Sequence, residues 1–282
     1  MNERKDVGEA DKEKRLRFDE NTVSVFINKF VEVIREGYLS DFFEKNELWL
    51  LRAGFFGLYV LAVIGLITAV SVPIRYDGFS FWFWFFGGLG WVLFCAGLHY
   101  AAYKMLPSLV KLIESTPTKL SSYAFLECSA VAVGISGMAA LIGGIWMSIA
   151  SKSFEVAIGG AFLFILSQYL MALLLKPSLV NVARDDMASA GEEFVGLVSF
   201  VMKAQLKLAP IFFGSGVGLA VLFGLDLLFF GVQVEFQLFQ KISLTAWLAS
   251  AALIPIVSYI IFLIYYFLID IASSILTLRK TS

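Results

Sequence analysis

Cys128-Ser-Ala-Val-Ala-Val-Gly-Ile-Ser-Gly-Met-Ala-Ala-Leu-Ile-Gly-Gly-Ile-Trp-Met-Ser-Ile-Ala-Ser151 decides the fold class. No charge interrupts it, and it exceeds the ~20 apolar residues that a helix needs to cross a hydrocarbon core. Ala132, Ser136, Ala140 and Gly144 recur every four positions. On a helix they form one smooth stripe on which another backbone can lie close. Close packing is a main source of attraction between helices in lipid. This third apolar stretch is therefore expected to be central in packing as well as in sequence.

Five more apolar runs surround it. Ala53–Ile74 is the first span, with Pro73 at its end, where a helix can stop without losing a backbone bond. Phe79–Tyr103 is the second and opens with seven aromatics in eight residues, Phe79 to Phe86. That density marks a membrane-water boundary. Val156–Leu175 is the fourth and Leu208–Gly231 the fifth, with Gly214 and Gly218 in a Gly-x-x-x-Gly. Ile242–Ile269 is the sixth, and Pro255 predicts a kink near its middle. The fold class expected is all-α: a polytopic integral membrane protein of six transmembrane helices in three hairpins.

The composition agrees. Of 282 residues 59% are hydrophobic and 16% charged, with mean hydropathy +0.80. Soluble domains carry about a quarter charged residues. A net charge of -1 gives no basic excess for nucleic acid. Cys95 and Cys128 are isolated in apolar runs, so no disulfide framework is implied.

Residues 1–20 carry dense charge of both signs and lack the apolar core of a signal peptide, so they read as a solvated, disordered tail. In 21–52, Val23, Phe26, Ile27, Phe30, Val33 and Ile34 keep the spacing of a one-faced helix. Such a helix can lie among headgroups or pack on its neighbours in the cytoplasm. Residues 53–271 form the six-helix domain and 272–282 a C-terminal tail. Connections at 104–127 and 178–207 read as polar, and Phe194, Leu197, Val198, Val201 and Met202 share a helical face in the second.

Lysine and arginine set the orientation. Ten precede the first span, three lie in 104–127, four in 176–207 and two at the C-terminus, against Arg75, Lys152 and Lys241 alone in the other loops. The bias predicts a plasma (inner) membrane protein with both termini in the cytoplasm. Pro-Ser-Leu-Val recurs at 107–110 and 177–180, after the second and fourth spans, and Asp270-Ile-Ala-Ser-Ser-Ile-Leu follows the sixth. Three hairpins in a pseudo-threefold repeat, each led by an amphipathic cytoplasmic helix, would account for that layout.

Four side chains are candidates for an ion or proton site. Asp226 stands five residues before Gly231, ~8 Å below the end of its span. A charge there is costly and marks function by default, or it reaches the headgroups. Histidine as a residue type can carry a proton near neutral pH, and His99, the single histidine, is expected at a depth similar to Glu127. Gln168 can line a polar path or join two helices. Ala132, Ser136, Ala140, Gly144, Gly214 and Gly218 are the expected helix-packing positions. One histidine and two separated cysteines leave no His/Cys metal set. His-Glu-x-x-His, Gly-x-Ser-x-Gly and the P-loop pattern are absent from the sequence. Asp185, Asp186, Glu192 and Glu193 are read as a solvated face rather than a Mg²⁺ site. The expected partners are the lipid bilayer and either another membrane protein or a second copy of the chain, with no cofactor and no catalysis. The function expected is a non-catalytic packing or accessory subunit; the alternative is a channel or transporter for protons, a small ion or a small solute.

Overall fold

A long helix through the middle of the chain organises the structure. The computed structural model describes residues 40–75, 80–152, 154–185, 190–230 and 235–281, together with Lys29 and Glu32. Contacts divide the chain into Met1–Phe42 and Phe43–Ser282. In the first unit Lys29 and Glu32 are helical, and the rest of the tail and amphipathic-helix reading of 1–39 lies outside the described residues. The second unit is the subject below.

Its elements are α1 (Ser40–Arg75), α2 (Phe81–Ser115), β1 (Thr118–Leu120), α3 (Ala124–Ser151), α4 (Phe154–Leu175), a 3-10 turn (Pro177–Val180), β2 (Val182–Arg184), α5 (Ala190–Phe230), α6 (Glu235–Ala249), a second 3-10 turn (Ser250–Leu253) and α7 (Ile254–Thr281). Among the described residues six stretches are long and apolar enough to cross a membrane: α1 to α5, and α6 with α7 as one interrupted rod. Large apolar side chains such as Phe56, Leu93, Ile142, Trp146, Phe229 and Trp247 are exposed along them. In water such a surface would drive association; in a bilayer it faces its own solvent. The chain has the build of an all-α integral membrane protein.

The expected connection at 104–127 is mostly helix. α2 runs through Pro107 to Ser115, because Ala102, Leu106, Leu109 and Ile113 are buried at helical spacing. Beside the backbone bond that Pro107 cannot make, the Ser108 hydroxyl donates to the carbonyl of Lys104 at 3.1 Å. At ~1.5 Å per residue, α2 and α5 each exceed a hydrocarbon core of ~30 Å by 20 Å or more. In α5 the charge-free run begins at Leu208, so the helix up to Lys207 projects beyond the crossing part.

That projecting end carries the one departure from all-helix architecture seen among the described residues. β1 and β2 pair in parallel, Thr118 with Val182, Lys119 with Ala183 and Leu120 with Arg184. A ladder this short is marginal alone, and it is held by burial of Leu120, Val180 and Val182. The two Pro-Ser-Leu-Val copies take different backbones, α-helical at 107–110 and 3-10 at 177–180.

The third apolar stretch, α3, is peripheral, contrary to expectation. It packs antiparallel on α4, and only Leu126, Ala130 and Gly137 are buried in it. A Cβ on Gly144 would stand 2.8 Å from Gly160 Cα, and one on Gly160 would stand 2.7 Å from the carbonyl of Ala140. Ala140 and Gly144 therefore do pack, but Ala132 and Ser136 are exposed. The contact line is Ala130, Gly134, Gly137 and Gly144, one helical step round from the predicted stripe. α5 takes the central place, touching α2, α4, α6, α7 and β1. Gly214 lies so close to α1 that a Cβ there would collide with the carbonyl of Leu50, whereas one on Gly218 would meet nothing. Only the first glycine of the Gly-x-x-x-Gly is thus used in packing. Just before Pro255, where a kink is expected, a 3-10 turn separates α6 from α7, and Ala251 there packs on Gly216.

Candidate functional site

Asp226, near the end of α5, forms an ion pair with Lys241 of α6. Both side chains are partly exposed, and each charge is matched by the other. The pair lies at the surface of the bundle rather than inside it.

His99 is held from α1. Its Nε2 lies 3.2 Å from the Tyr59 hydroxyl, and its ring meets Phe55 edge-on at 5.1 Å. Its Nδ1 is buried without a hydrogen bond. Asp226 lies next to Leu227, which packs with Val72, so the levels of His99 and Asp226 differ by about 20 Å of helix. Leu61, Ile64, Ala69 and Ala220, buried between them, are apolar; among the described residues the Thr68 and Thr245 hydroxyls are buried there as well. Gln168 lies in α4 beside Gly137, its Nε2 3.7 Å from where a Cβ would stand. Glu127 lies in the first turn of α3, where a negative charge suits the helix dipole. The four candidates are distributed over four helices, and the recorded partners of His99 and Asp226 are Tyr59, Phe55 and Lys241, not one another.

A polar cluster that sequence reasoning passed over gathers at the sheet end. Lys203 of α5 is fully buried, at 0% exposure. Its ammonium donates to the carbonyl of Thr116, to Thr118 Oγ1 at 2.6 Å and to the carbonyl of Asn181 at 3.1 Å. Three donors meet three acceptors. Thr116 caps α2 and Asn181 caps the first 3-10 turn, and helix C-termini carry partial negative charge that favours a cation. Asn181 adopts φ 55°, a conformation asparagine tolerates better than most residues. Its Nδ2 donates to the carbonyls of Ile113 and Glu114 at 3.1 and 2.9 Å, filling orphan acceptors of the last turn of α2. Thr118 Oγ1 continues to Ser199 Oγ and on to Tyr266 of α7, each step 2.8 Å.

The acidic residues expected on a solvated face also bind structure together. Asp185 pairs with Lys119 at 2.9 Å. Glu193 Oε2 accepts from the amide and the hydroxyl of Ser121, both at 2.5 Å. Lys207 reaches Glu47 of α1 at 2.9 Å. One signal could have exposed the cluster. Gly196, Ser199, Phe200, Lys203 and Ala204 are the buried face of this part of α5, while Phe194 and Val201 are exposed. That face mixes small residues with Phe200 and a lysine, while Phe194 and Val201 point away from it. Chemically the cluster is a clamp: the three donors of Lys203 join the end of α2, β1 and the turn before β2 to α5. Set against protein-family models, curated proteins and solved structures, the chain has no match.

Proposed function

We propose that the chain is a non-catalytic membrane subunit that packs on copies of itself or on another membrane protein through α3. The observation that carries the reading is the outward direction of its small-residue stripe. Ala132, Ser136 and Ala139 are exposed, and a Cβ on Gly143 would meet nothing within 4 Å. Such a stripe, with the internal contact taken up by the neighbouring line of glycines, suits a further helix. The solvated Asp226–Lys241 pair and the apolar level between it and His99 favour this role over transport, which normally needs polar groups near the midplane. Both termini are placed in the cytoplasm, in a plasma membrane, on the lysine and arginine bias.

Cysteine trapping tests the reading. In liposomes and in native membranes, Ser136→Cys is expected to give one discrete adduct, with itself or with a single partner, and Ser136→Leu with Ala132→Leu to abolish the association. Ile67→Cys, on an exposed face of α1, is the control. Adducts no more frequent than the control's in both settings sink the proposal, as does ion flux through the purified protein that Asp226→Asn eliminates. A reporter fused after Ser282 and found outside the cell would reverse the orientation.

A further inference from the structure

Between α1, α2, α5 and α6, in the half of the bundle away from the sheet, lies a cavity of about 230 Å³. Leu61, Ile64, Ala69, Trp91, Leu227 and Ile242 are among the residues around it. A cavity of about 150 Å³ lined by Leu, Ile and Phe stays dry and holds a benzene molecule, so this one has room for a longer apolar group. Its polar groups are few and mostly engaged. The Trp91 indole donates to the carbonyl of Leu61 at 2.9 Å, and the Thr245 hydroxyl to that of Lys241 at 2.9 Å. Thr68 differs. It is 7% exposed, it lines the cavity, and its hydroxyl has no hydrogen-bond partner among the described residues.

Water is a poor occupant, because a buried water takes two to four polar partners and the lining is apolar apart from the Thr68 and Thr245 hydroxyls and the indoles of Trp84 and Trp91. Phe83 and Gly87, also in the lining, are exposed on the outer face of α2. The mouth is therefore on the surface that the apolar helices present to the bilayer. Thr68 lies seven residues before Arg75, ~10 Å down the span, a depth a lipid's ester region can approach while its chain goes deeper.

We infer that the cavity binds an acyl chain of a glycerolipid, which enters sideways past Gly87 and brings an ester oxygen to the Thr68 hydroxyl. The occupant is the lipid of the adjoining leaflet. It does not depend on the subunit reading above, which concerns a different helix and a different face.

The test uses the full chain with Trp91 as its sole tryptophan, reconstituted into phosphatidylcholine vesicles with brominated acyl chains. Trp91 fluorescence is expected to be quenched by the chains and not by aqueous iodide. Gly87→Leu places a side chain where a Cβ meets nothing within 4 Å, so it obstructs the mouth without disturbing the walls. It should lower the quenching by about twofold or more, as expected for closing a largely preformed site. Thr68→Val should lower the lipid retained per chain through detergent purification. A second chain with Trp146, on the exposed face of α3, as sole tryptophan reports intact insertion: its quenching should be the same with and without Gly87→Leu. Quenching of Trp91 that is absent, that Gly87→Leu leaves unchanged, or that iodide produces instead overturns the inference; the last would mean a water-filled vestibule.

Discussion

The ammonium of Lys203 reaches the carbonyl oxygen of Asn181 at 3.1 Å, across 22 residues of chain. With Thr116 and Thr118 as its other acceptors, it ties α5 to the end of α2 and to both strands. Burying a cation is expensive unless it is hydrogen-bonded throughout, and this one has no carboxylate as a recorded partner. Replacing it with an apolar isostere relieves the desolvation but leaves buried acceptors behind. The second effect is expected to dominate, since charge-assisted bonds are worth about 1.5–3 kcal/mol each. Lys203→Met should destabilise the sheet end by about 2 kcal/mol, read as a ~30-fold rise in amide exchange at Thr118 and Asp185. Unchanged exchange at those two amides would show that the clamp is ornamental.

Glu193 gives the same region a dependence on pH. It stands in the first turn of α5, before the crossing part that begins at Leu208. The Ser121 hydroxyl, and after it the Ser121 and Ser122 amides, hold its carboxyl below the usual carboxylate value, against an opposing push from burial. A depressed folded-state value contributes stability that is full above the unfolded value near 4.5 and is lost as pH falls through the folded one. Protection of the Ser121 amide should therefore be constant at neutral pH and decay only below that range. In Glu193→Gln it should be lower at neutral pH and flat across the same titration. A wild-type amide whose protection is equally flat would remove the carboxylate from the linkage.

Two glycine pairs separate packing from mere smallness. A Cβ on Gly144 stands 2.8 Å from Gly160 Cα, whereas its neighbour Gly143 has open space. Gly144→Ala should loosen α3 from α4 at a cost of about 1–3 kcal/mol, the range for overpacking. Gly143→Ala should be neutral or stabilise the helix by up to about 1 kcal/mol, provided no partner covers that face. In α5, Gly214→Ala should be costly and Gly218→Ala mild for the same reasons. Unfolding in mixed detergent micelles measures all four. Equal effects within either pair would contradict the contacts described.

These pairs also show what the sequence could and could not disclose. Six spans were readable because a bilayer demands ~20 apolar residues from each crossing helix, and that demand is local. The choice of the Ala132–Ser136–Ala140–Gly144 line over the line through Gly134 and Gly137 was not readable, because both lines are small and smooth and only α4 selects between them. Lys203 was hidden because the face it stands on, with Gly196, Ser199, Phe200 and Ala204, has no clean apolar pattern. The apolar line through Phe194 and Val201 that the sequence does offer is exposed at those two residues. The ladder of β1 and β2 was hidden because three-residue strands have no periodicity to read, and because the residues that hold it are distant in sequence, among them a lysine 83 residues after Leu120. Asp226 was singled out as unusual, but its ion-pair partner, Lys241, stands on the next helix, and no local pattern links the two.

The pair leads to a test of Asp226 itself. The carboxylate pairs with Lys241 of α6, with both side chains about one-third exposed or more, 41% and 32%. Pairs solvated to that degree contribute at most about 1 kcal/mol, after side-chain entropy and screening. Asp226→Asn alone, and Lys241→Gln alone, should each cost less than about that amount in micelle unfolding, and the effect should shrink in high salt. The exchanged double variant, Asp226→Lys with Lys241→Asp, should recover most of the loss, because the two positions remain within reach and only the sign is reversed. A proton or cation site would behave otherwise. Its carboxylate would be needed at one position, so the exchange would not restore whatever Asp226→Asn removed. Recovery of stability in the exchanged protein, with no change in membrane permeability across the series, assigns the pair to holding α6 against α5. Permeability lost in Asp226→Asn and not regained on exchange would return Asp226 to the list of transport residues.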